Sequence, residues 1–340
     1  MSECRNLITD VPGIRIGHAE DASVLSGVTV LMADRPLIAA VDVRGGGPGT
    51  RETDAVGLAG SVEEVHAIVI SGGSAFGLSA ATGVQAWLAE RGVGFDIGGA
   101  RVPIVPQAVL FDLLNGGDKS WSATSPYERL GREACANASQ EFRRGSIGAG
   151  LGATTATVRG GLGSASQALD GGLVVGAIVA VNAVGTATVG DTAHFWSAPF
   201  EQNGEFGGLG HPAEWSQSMF EARLKGGDRQ ATTLAIIATN ARLSKREVHR
   251  LGIMAQGGLV RALYPAHSPL DGDAVFSVAT GDVEVSDPVY GLSLLGIAAG
   301  NVLARAIARG VYEAAPAPAS WRGPPAHCTL FPEAHSGRAR

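Results

Sequence analysis

The chain has 340 residues, a length that suits one large layered domain. Hydrophobic residues make up 45% and charged residues 17%, which excludes global disorder and provides for a large core. The net charge of -6, without an extended run of Lys or Arg, argues against nucleic acids and anionic membranes as partners. Three cysteines, far apart and odd in number, predict a cytoplasmic protein without disulfides.

The first part of the chain is predicted to alternate strands with turns. Residues 28–32, 38–43 and 65–71 have the apolar, β-branched composition of strands. A helix is predicted over 74–92 after the Gly72-Gly73 break, and another strand over 104–113. The N-terminus has no apolar region typical of a signal peptide, and no uninterrupted apolar run reaches the length of a membrane span.

The middle of the chain is rich in Gly, Ser and Thr. Residues 141–166 are predicted to be a loop, followed by strands over 173–181 and 186–189. The segment 191–230 is polar, with weak periodicity, and is predicted to be a long linker.

The C-terminal part contains the clearest local signals. A strand is predicted to begin at Thr232, and a helix follows with a capping box formed by Ser244 and Glu247. A strand over 274–280 and a helix over 288–314 complete the predicted domain, which spans residues 1–314. The Pro- and Ala-rich tail, 315–340, is expected to be disordered or to pack on another subunit. Because strands and helices come in clusters, the sequence favours a layered α+β fold over a doubly wound sheet.

The segment ATTLAIIATN, 231–240, opens a strand with two hydroxyl residues after a long linker. One interpretation is purely structural, because Thr is a good strand former. The other is catalytic. If the backbone breaks before Thr232, the new α-amino group can act as the general base and the Thr232 hydroxyl as the nucleophile, without a histidine.

Two further segments contain candidate catalytic groups. Asp271 and Asp273 flank a Gly just before a strand, either as a solvated turn or as paired carboxylates that orient or protonate the nucleophile's partner. Asn182 ends an apolar strand, either as a turn former or as an oxyanion donor through its side-chain amide.

Several other kinds of site are not indicated. The eight histidines show no metal-binding spacing, there is no G-x-S-x-G motif, and VISGGSAFG fits neither of the common nucleotide-binding glycine patterns. We therefore expect no metal and no cofactor, and we attribute Gly72, Gly73 and Gly77 to close packing.

Eight segments in collinear order resemble the L-aminopeptidase/D-esterase family, which includes β-aminopeptidases and nylon-oligomer hydrolases. The resemblance covers roughly residues 8–314. The segments are DVPGIRIGHAED, AAVDVRGGGPGTRETD, ISGGSAFGLSAATGV, VPQAVLFDL, GSIGAGLGAT, VVGAIVAVNAVG, TTLAIIATNARLSK and HSPLDGDAVFSVATG.

This resemblance implies a four-layer αββα sandwich of the N-terminal-nucleophile-hydrolase type. It implies self-cleavage between Ala231 and Thr232, giving an α chain of residues 1–231 and a β chain of residues 232–340. By position, Thr232 would be the nucleophile, Asn182 an oxyanion donor, and Asp271 and Asp273 its acidic partners. Phe111 would line the pocket for a small peptide, amide or ester substrate, in a homo-oligomer that is often a tetramer.

The chain departs from the family pattern at two places. Ala231 stands before the nucleophile, where threonine-type relatives commonly have Asn or Gly, and Ala tolerates strained backbone less well. In GATTATVRGG, where many relatives carry a Lys that helps the active site, the nearest position is Thr157, with Arg159 two residues on. These departures leave open an uncleaved, non-catalytic binding or structural protein. An acyltransferase in the manner of ornithine acetyltransferase, which resembles this architecture and uses an N-terminal Thr, is a further alternative.

Overall fold

A computed structural model of the chain describes residues 4–121, 124–226 and 231–338. Within these residues, nine strands form one mixed sheet: β1 (Ile14–Asp21), β2 (Ser26–Val43), β3 (Gly49–Arg51), β4 (Glu64–Ser71), β7 (Gln107–Val109), β8 (Leu162–Ala168), β9 (Val174–Asn182), β10 (Thr232–Ala241) and β11 (Ala274–Val283). Two short strands, β5 (Phe95–Ile97) and β6 (Ala100–Val102), form a separate pair.

The α-helices of the described residues are α1 (Thr53–Val56), α2 (Ala80–Ala89), α3 (Tyr127–Ala136), α4 (Lys245–Ala262), α5 (Pro288–Tyr312) and α6 (His327–Leu330). The strand order is β3-β7-β4-β2-β11-β10-β9-β8, with β1 also paired to β2. The pairs β10–β11 and β4–β7 are parallel, and the other pairs of this sheet are antiparallel.

Three apolar cores separate four layers. The inner core contains alternate side chains from strands at both ends of the sheet, such as Ile16 of β1 and Ile236 of β10, so the two halves of the sheet face each other. A second core joins β8–β11 to α4 and α5, and a third joins β1, β2 and β4 to α2 and α3. The arrangement is a four-layer αββα sandwich, as predicted from the resemblance.

The strongest local signals are confirmed. β10 begins at Thr232 and is buried along its whole length. Helix α4 has the predicted capping box, in which the Ser244 side chain accepts a hydrogen bond from the Glu247 amide and the Glu247 carboxylate accepts one from the Ser244 amide. Because these patterns depend on neighbouring residues alone, the sequence is sufficient to place them.

Several predicted boundaries are wrong. Residues 28–32 and 38–43 belong to one strand, β2, whose pairing with β4 shifts register between Met32 and Leu37; this irregularity accommodates Pro36. Residues 186–189 form isolated bridges rather than a strand, and only Gln107–Val109 of 104–113 join the sheet. The predicted helix over 74–92 begins as a 3₁₀ helix, Ser74–Ser79, before α2.

The C-terminal tail, as far as residue 338, is ordered against its own chain, which corrects the expectation of disorder, whereas packing on another subunit stays a prediction. His327 is completely buried, and its ring stacks on Phe195. The Tyr312 hydroxyl donates a hydrogen bond to the Ala334 carbonyl. The tail thus forms part of the packed structure behind α5.

Helix α5 is long and apolar enough to span a membrane, with 25 residues and a mean hydropathy of 1.5 in its most apolar window. However, 67% of that window is buried inside the protein, where Leu295, Val302 and Ile307 contribute to the core beneath β8–β11. This burial is typical of the central helix of a folded domain.

Candidate active site

Thr232 lies at the first position of β10, directly opposite Asn182, the last residue of β9. Both residues are buried, with 4% of Thr232 and none of Asn182 exposed. The strand register therefore brings together the predicted nucleophile and the predicted oxyanion donor, which are 50 positions apart in the sequence.

The peptide between Ala231 and Thr232 is held on both sides. The Thr232 hydroxyl donates a 2.5 Å hydrogen bond to the Ala231 carbonyl oxygen, so Oγ1 lies next to the carbonyl group that precedes it. The same oxygen accepts a 2.9 Å hydrogen bond from the amide of Gly272. The Ala231 amide in turn donates to the Leu270 carbonyl at 3.1 Å.

Asp271 is buried behind this peptide. One of its carboxylate oxygens accepts a hydrogen bond from the Val184 amide at 3.1 Å, and the other accepts one from the Ser268 amide at 3.0 Å. Burial, and next the neighbouring Asp273 carboxylate, raise the pKa of Asp271. Through these two amide contacts, Asp271 holds the loop that contains Gly272 against the end of β9.

Asp273 is the acidic residue next to the nucleophile. One oxygen accepts a 2.7 Å hydrogen bond from the amide of Thr233, the residue after Thr232. The other oxygen accepts hydrogen bonds from the amide and the Nδ1 of His267, both at 3.0 Å. Nε2 of His267 is buried without a partner among the described residues. The sequence did not indicate a role for His267, because the histidines show neither metal-ligand spacing nor the spacing of a catalytic triad.

In the part of the chain that the structure describes, Asn182 forms no hydrogen bond with the Ala231 carbonyl oxygen. Its Nδ2 donates to the carbonyl of Phe111 at 3.1 Å, and its Oδ1 accepts from the Thr154 amide at 3.0 Å. The structure thus places Asn182 beside Thr232 and places Phe111 beside Asn182. The oxyanion role of Asn182 and the substrate-binding role of Phe111 stay predictions.

The stretch GATTATVRGG contacts Asn182 through Thr154 rather than through Thr157. The Thr157 hydroxyl shares a 2.7 Å hydrogen bond with Thr186. Arg159 donates to the carbonyls of Leu151, Ala315 and Pro316, and its guanidinium lies 4.5 Å from the centre of the Trp321 ring. Arg159 therefore fixes the C-terminal tail and does not reach the site.

A cation comes instead from the linker before β10. Lys225 is buried, and its Nζ lies 2.9 Å from Oδ1 and 3.1 Å from the carbonyl oxygen of Asn182. It lines a small cavity of about 20 Å³ together with Phe111, Asp112 and Thr154. The sequence did not indicate this residue, because a single Lys in a polar, Gly-rich linker is usually solvated.

The glycine-rich loop after β2 packs on the Asp271–Asp273 turn. The Gly47 amide donates to the Asp271 carbonyl at 2.8 Å, and the Gly45 amide donates to the Asp273 carbonyl at 3.1 Å. A side chain at Gly45 would place Cβ 2.2 Å from the Asp273 nitrogen. This close approach is why the loop needs glycine, and it positions Gly272 against Thr232.

The chain is similar to proteins of one known family. The chain matches the family model of peptidase family S58 over residues 6–320. It is 41% identical to an uncharacterized aminopeptidase of Mycobacterium tuberculosis (97% of this chain, 99% of the relative). It is 31% identical to a 6-aminohexanoate-oligomer endohydrolase of Kocuria sp. (81% and 75%).

Two solved structures share the fold at low sequence identity. The L-aminopeptidase D-Ala-esterase/amidase of Ochrobactrum anthropi, described as a variant of the Ntn hydrolase fold, has a TM-score of 0.69 and 18% identity (96% of this chain, 94% of that chain). The β-aminopeptidase of Burkholderia sp. has a TM-score of 0.68 and 21% identity (98% and 94%). The family match spans the four-layer fold and the site around Thr232 alike, so the chain belongs to peptidase family S58, a family of hydrolases.

Proposed function

We propose that the protein cleaves its own backbone between Ala231 and Thr232 and then hydrolyses N-terminal residues or small amides and esters through an acyl-Thr232 intermediate. The observation that carries this proposal is the Ala231 carbonyl group, which lies against the Thr232 hydroxyl on one side and the Gly272 amide on the other. A nucleophile next to a carbonyl that already has a backbone donor is the arrangement required for acyl transfer.

Self-cleavage begins with attack of Thr232 Oγ1 on the Ala231 carbonyl carbon. The developing negative charge on the Ala231 oxygen is stabilised by the Gly272 amide, which already donates to it. The C–N bond then breaks, the proton lost by Thr232 Oγ1 passes to the Thr232 nitrogen, which becomes a free amine, and an ester joins Ala231 to Oγ1. Water hydrolyses this ester, releasing the Ala231 carboxylate and regenerating the Thr232 hydroxyl.

The same groups then serve external substrates. The free α-amine of Thr232 accepts the hydroxyl proton as Oγ1 attacks the substrate carbonyl, and it returns that proton to the leaving amine or alcohol. Once the Ala231 carbonyl has left, the Gly272 amide is available to the substrate oxyanion, with Asn182 as the second candidate donor. Asp273 holds the backbone of Thr233 and thereby fixes the orientation of its neighbour.

The substrate class is inferred from the relatives. Its relatives include an uncharacterized aminopeptidase and a 6-aminohexanoate-oligomer endohydrolase, and both names denote cleavage of amide bonds. The buried position of Thr232 is consistent with small acyl groups. We therefore propose amino-acid amides, their esters and short peptides as substrates.

The test is to capture the intermediate. The purified enzyme is mixed with amino-acid p-nitrophenyl esters, quenched in acid and digested. The mass of the peptide that begins at Thr232 is then measured by mass spectrometry. We expect that peptide to gain the mass of the acyl group, and Thr232→Ser to retain the adduct. Turnover without any adduct on the Thr232 peptide, or full activity of Thr232→Ala, would contradict the proposal.

A further inference from the structure

Lys225 is a buried cation in a segment that is mostly exposed. Of the residues between 213 and 226, all of which the structure describes, Lys225 alone is buried, with 7% of its surface exposed. Its own amide donates to the Val184 carbonyl at 2.9 Å, which attaches the linker to the chain just after β9. Withdrawing an ammonium group from water costs several kcal/mol unless other groups replace the lost hydration, so this position requires a compensating interaction.

Part of that interaction is provided by Asn182. The Lys225 Nζ donates to both oxygens of this residue, at 2.9 Å for the side-chain amide and 3.1 Å for the backbone carbonyl. The Lys225 ammonium group and the Thr154 amide both donate to Oδ1 of Asn182. They therefore fix the orientation of the carboxamide, with Nδ2 on the opposite side. An amide whose oxygen is bound to a cation is also a stronger N–H donor, because hydrogen bonds in series polarise one another.

Arg159, the basic residue of the stretch GATTATVRGG, does not orient Asn182. Arg159 is bound to carbonyls of the tail, and its neighbour Thr157 is bound to Thr186. Thr154 reaches Asn182 but carries no charge. Lys225 therefore supplies a positive charge next to Asn182 of β9, which faces Thr232 of β10.

On the basis of the proposed function, we propose that Lys225 is a positioning residue that acts through Asn182. Its ammonium group holds the Asn182 carboxamide so that Nδ2 can donate to the oxyanion formed at Thr232. The charge comes from the segment that ends at the cleaved bond, six residues before Ala231. That segment therefore contributes to the site after cleavage, through non-covalent contacts at the end of the α chain.

The experiment compares full-length variants by two readouts. The first-order rate of self-cleavage is measured on precursor made by cell-free translation, and kcat and KM are measured on the cleaved enzyme. The variants are Lys225→Met, Lys225→Gln, Lys225→Arg, Asn182→Ala and the double variant Lys225→Met with Asn182→Ala. Lys245→Met is the matched control, because Lys245 also donates to two carbonyls, those of Gly60 and Val62, but on the far side of the fold at the start of α4.

We expect both neutral variants at 225 to lower the self-cleavage rate and kcat by roughly 10- to 100-fold, with KM changed less than about twofold, because an interaction made in the transition state is lost. Lys225→Arg should recover most of the rate. The double variant should be no slower than Asn182→Ala alone, since one residue acts through the other. Lys245→Met should cleave at the wild-type rate.

Three results would overturn the inference: wild-type rates in Lys225→Met and Lys225→Gln, a change confined to KM, or additive losses in the double variant. The unfolding midpoint of each variant shows whether a loss of rate follows from misfolding. If Lys225→Met is misfolded, the comparison uses Lys225→Gln in its place. A wild-type chain that never cleaves would instead reject the proposed function, and this inference with it.

Discussion

The amide of Gly272 donates a 2.9 Å hydrogen bond to the carbonyl oxygen of Ala231, and the α-carbon of the same glycine faces the Thr232 hydroxyl. A Cβ added at Gly272 would lie 2.7 Å from Thr232 Oγ1 and 2.8 Å from the Gly47 carbonyl oxygen. Gly272 is therefore both the backbone donor at the Ala231–Thr232 peptide and the residue that leaves room for the nucleophile.

Gly272→Ala should accordingly displace the Thr232 hydroxyl. We expect self-cleavage to slow by about 100-fold, because an error of roughly 1 Å in the position of a reacting group has a cost of that order. The measurement is a time course of precursor cleavage by mass spectrometry. Gly257→Ala is the control, since its Cβ would meet nothing within 4 Å and α4 would gain a better helix former. Cleavage of Gly272→Ala at the control's rate would contradict this account.

His267 should matter through its bond to Asp273. The residue has a φ of 60°, and its Nδ1 lies 3.0 Å from the Asp273 carboxylate. His267→Leu should lower the free energy of unfolding by about 2 kcal/mol, the usual loss of a hydrogen bond to a buried charge, and should slow self-cleavage. His267→Asn keeps a donor and tolerates the positive φ, so it should retain most of both properties.

His267→Gly removes the same donor but relieves the backbone strain, so it should be more stable than His267→Leu and should still cleave slowly. Chemical denaturation and the cleavage time course are measured on all three variants. Cleavage of both His267→Leu and His267→Gly at the wild-type rate would show that the bond to Asp273 does not support the site.

Glu205 should anchor the linker before β10. This buried carboxylate accepts hydrogen bonds from Arg305 at 2.5 and 3.0 Å and from the Asn6 side chain at 2.6 Å, and it lies 3.6 Å from Arg309. Glu205→Gln would leave the buried Arg305 guanidinium without its carboxylate and would remove one of the two carboxylates beside Arg309, and we expect a loss of about 3–5 kcal/mol in urea unfolding. Asp34→Asn breaks the exposed Arg15–Asp34 pair and should cost less than about 1 kcal/mol. Equal losses for the two variants would contradict the prediction.

The stability of the protein should fall in acid partly because of two buried histidines. Burial, and next the charge of Arg143, lower the pKa of His18 to about 4, and burial lowers the pKa of His327 to about 4. A histidine in the unfolded chain titrates near 6.5, so between about pH 6.5 and 4 the unfolded state binds more protons and stability falls as the pH falls. Each histidine can account for up to about 3 kcal/mol of this loss.

The variant His18→Gln with His327→Gln should therefore lose less stability than the wild type between pH 6.5 and 4. The exposed His211 provides a control, and His211→Gln should leave the slope unchanged. Unfolding free energies from denaturant titrations at several pH values give the comparison. Parallel pH profiles of the wild type and the double variant would show that these histidines are not the source.

The sequence was sufficient where a feature depends on adjacent residues. The strand that begins at Thr232 and the capping box at Ser244 are of this kind, and the order of motifs along the chain indicated the four-layer fold. β2 was divided in the prediction because Asp34, Arg35 and Pro36 have the composition of a turn. The strand continues through them because its partner strand shifts register there.

The supporting contacts of the site could not be predicted, because they join residues far apart in the chain. Gly45 packs on Asp273, and Lys225 turns inward to Asn182 from a segment whose composition predicts full exposure. A local pattern does not encode such approaches. The residues predicted to carry chemistry, Thr232, Asn182, Asp271 and Asp273, do lie around one peptide, although both carboxylates bind backbone amides rather than the Thr232 hydroxyl.

The central claim is that Thr232 becomes an N-terminal residue, and the mass of the intact purified protein tests it most directly. The account predicts two chains, residues 1–231 and 232–340, with Thr232 as the first residue of the smaller one, and a single chain for Thr232→Ala. A wild-type protein that remains one chain of 340 residues after prolonged incubation would contradict it and would favour a non-catalytic member of the family.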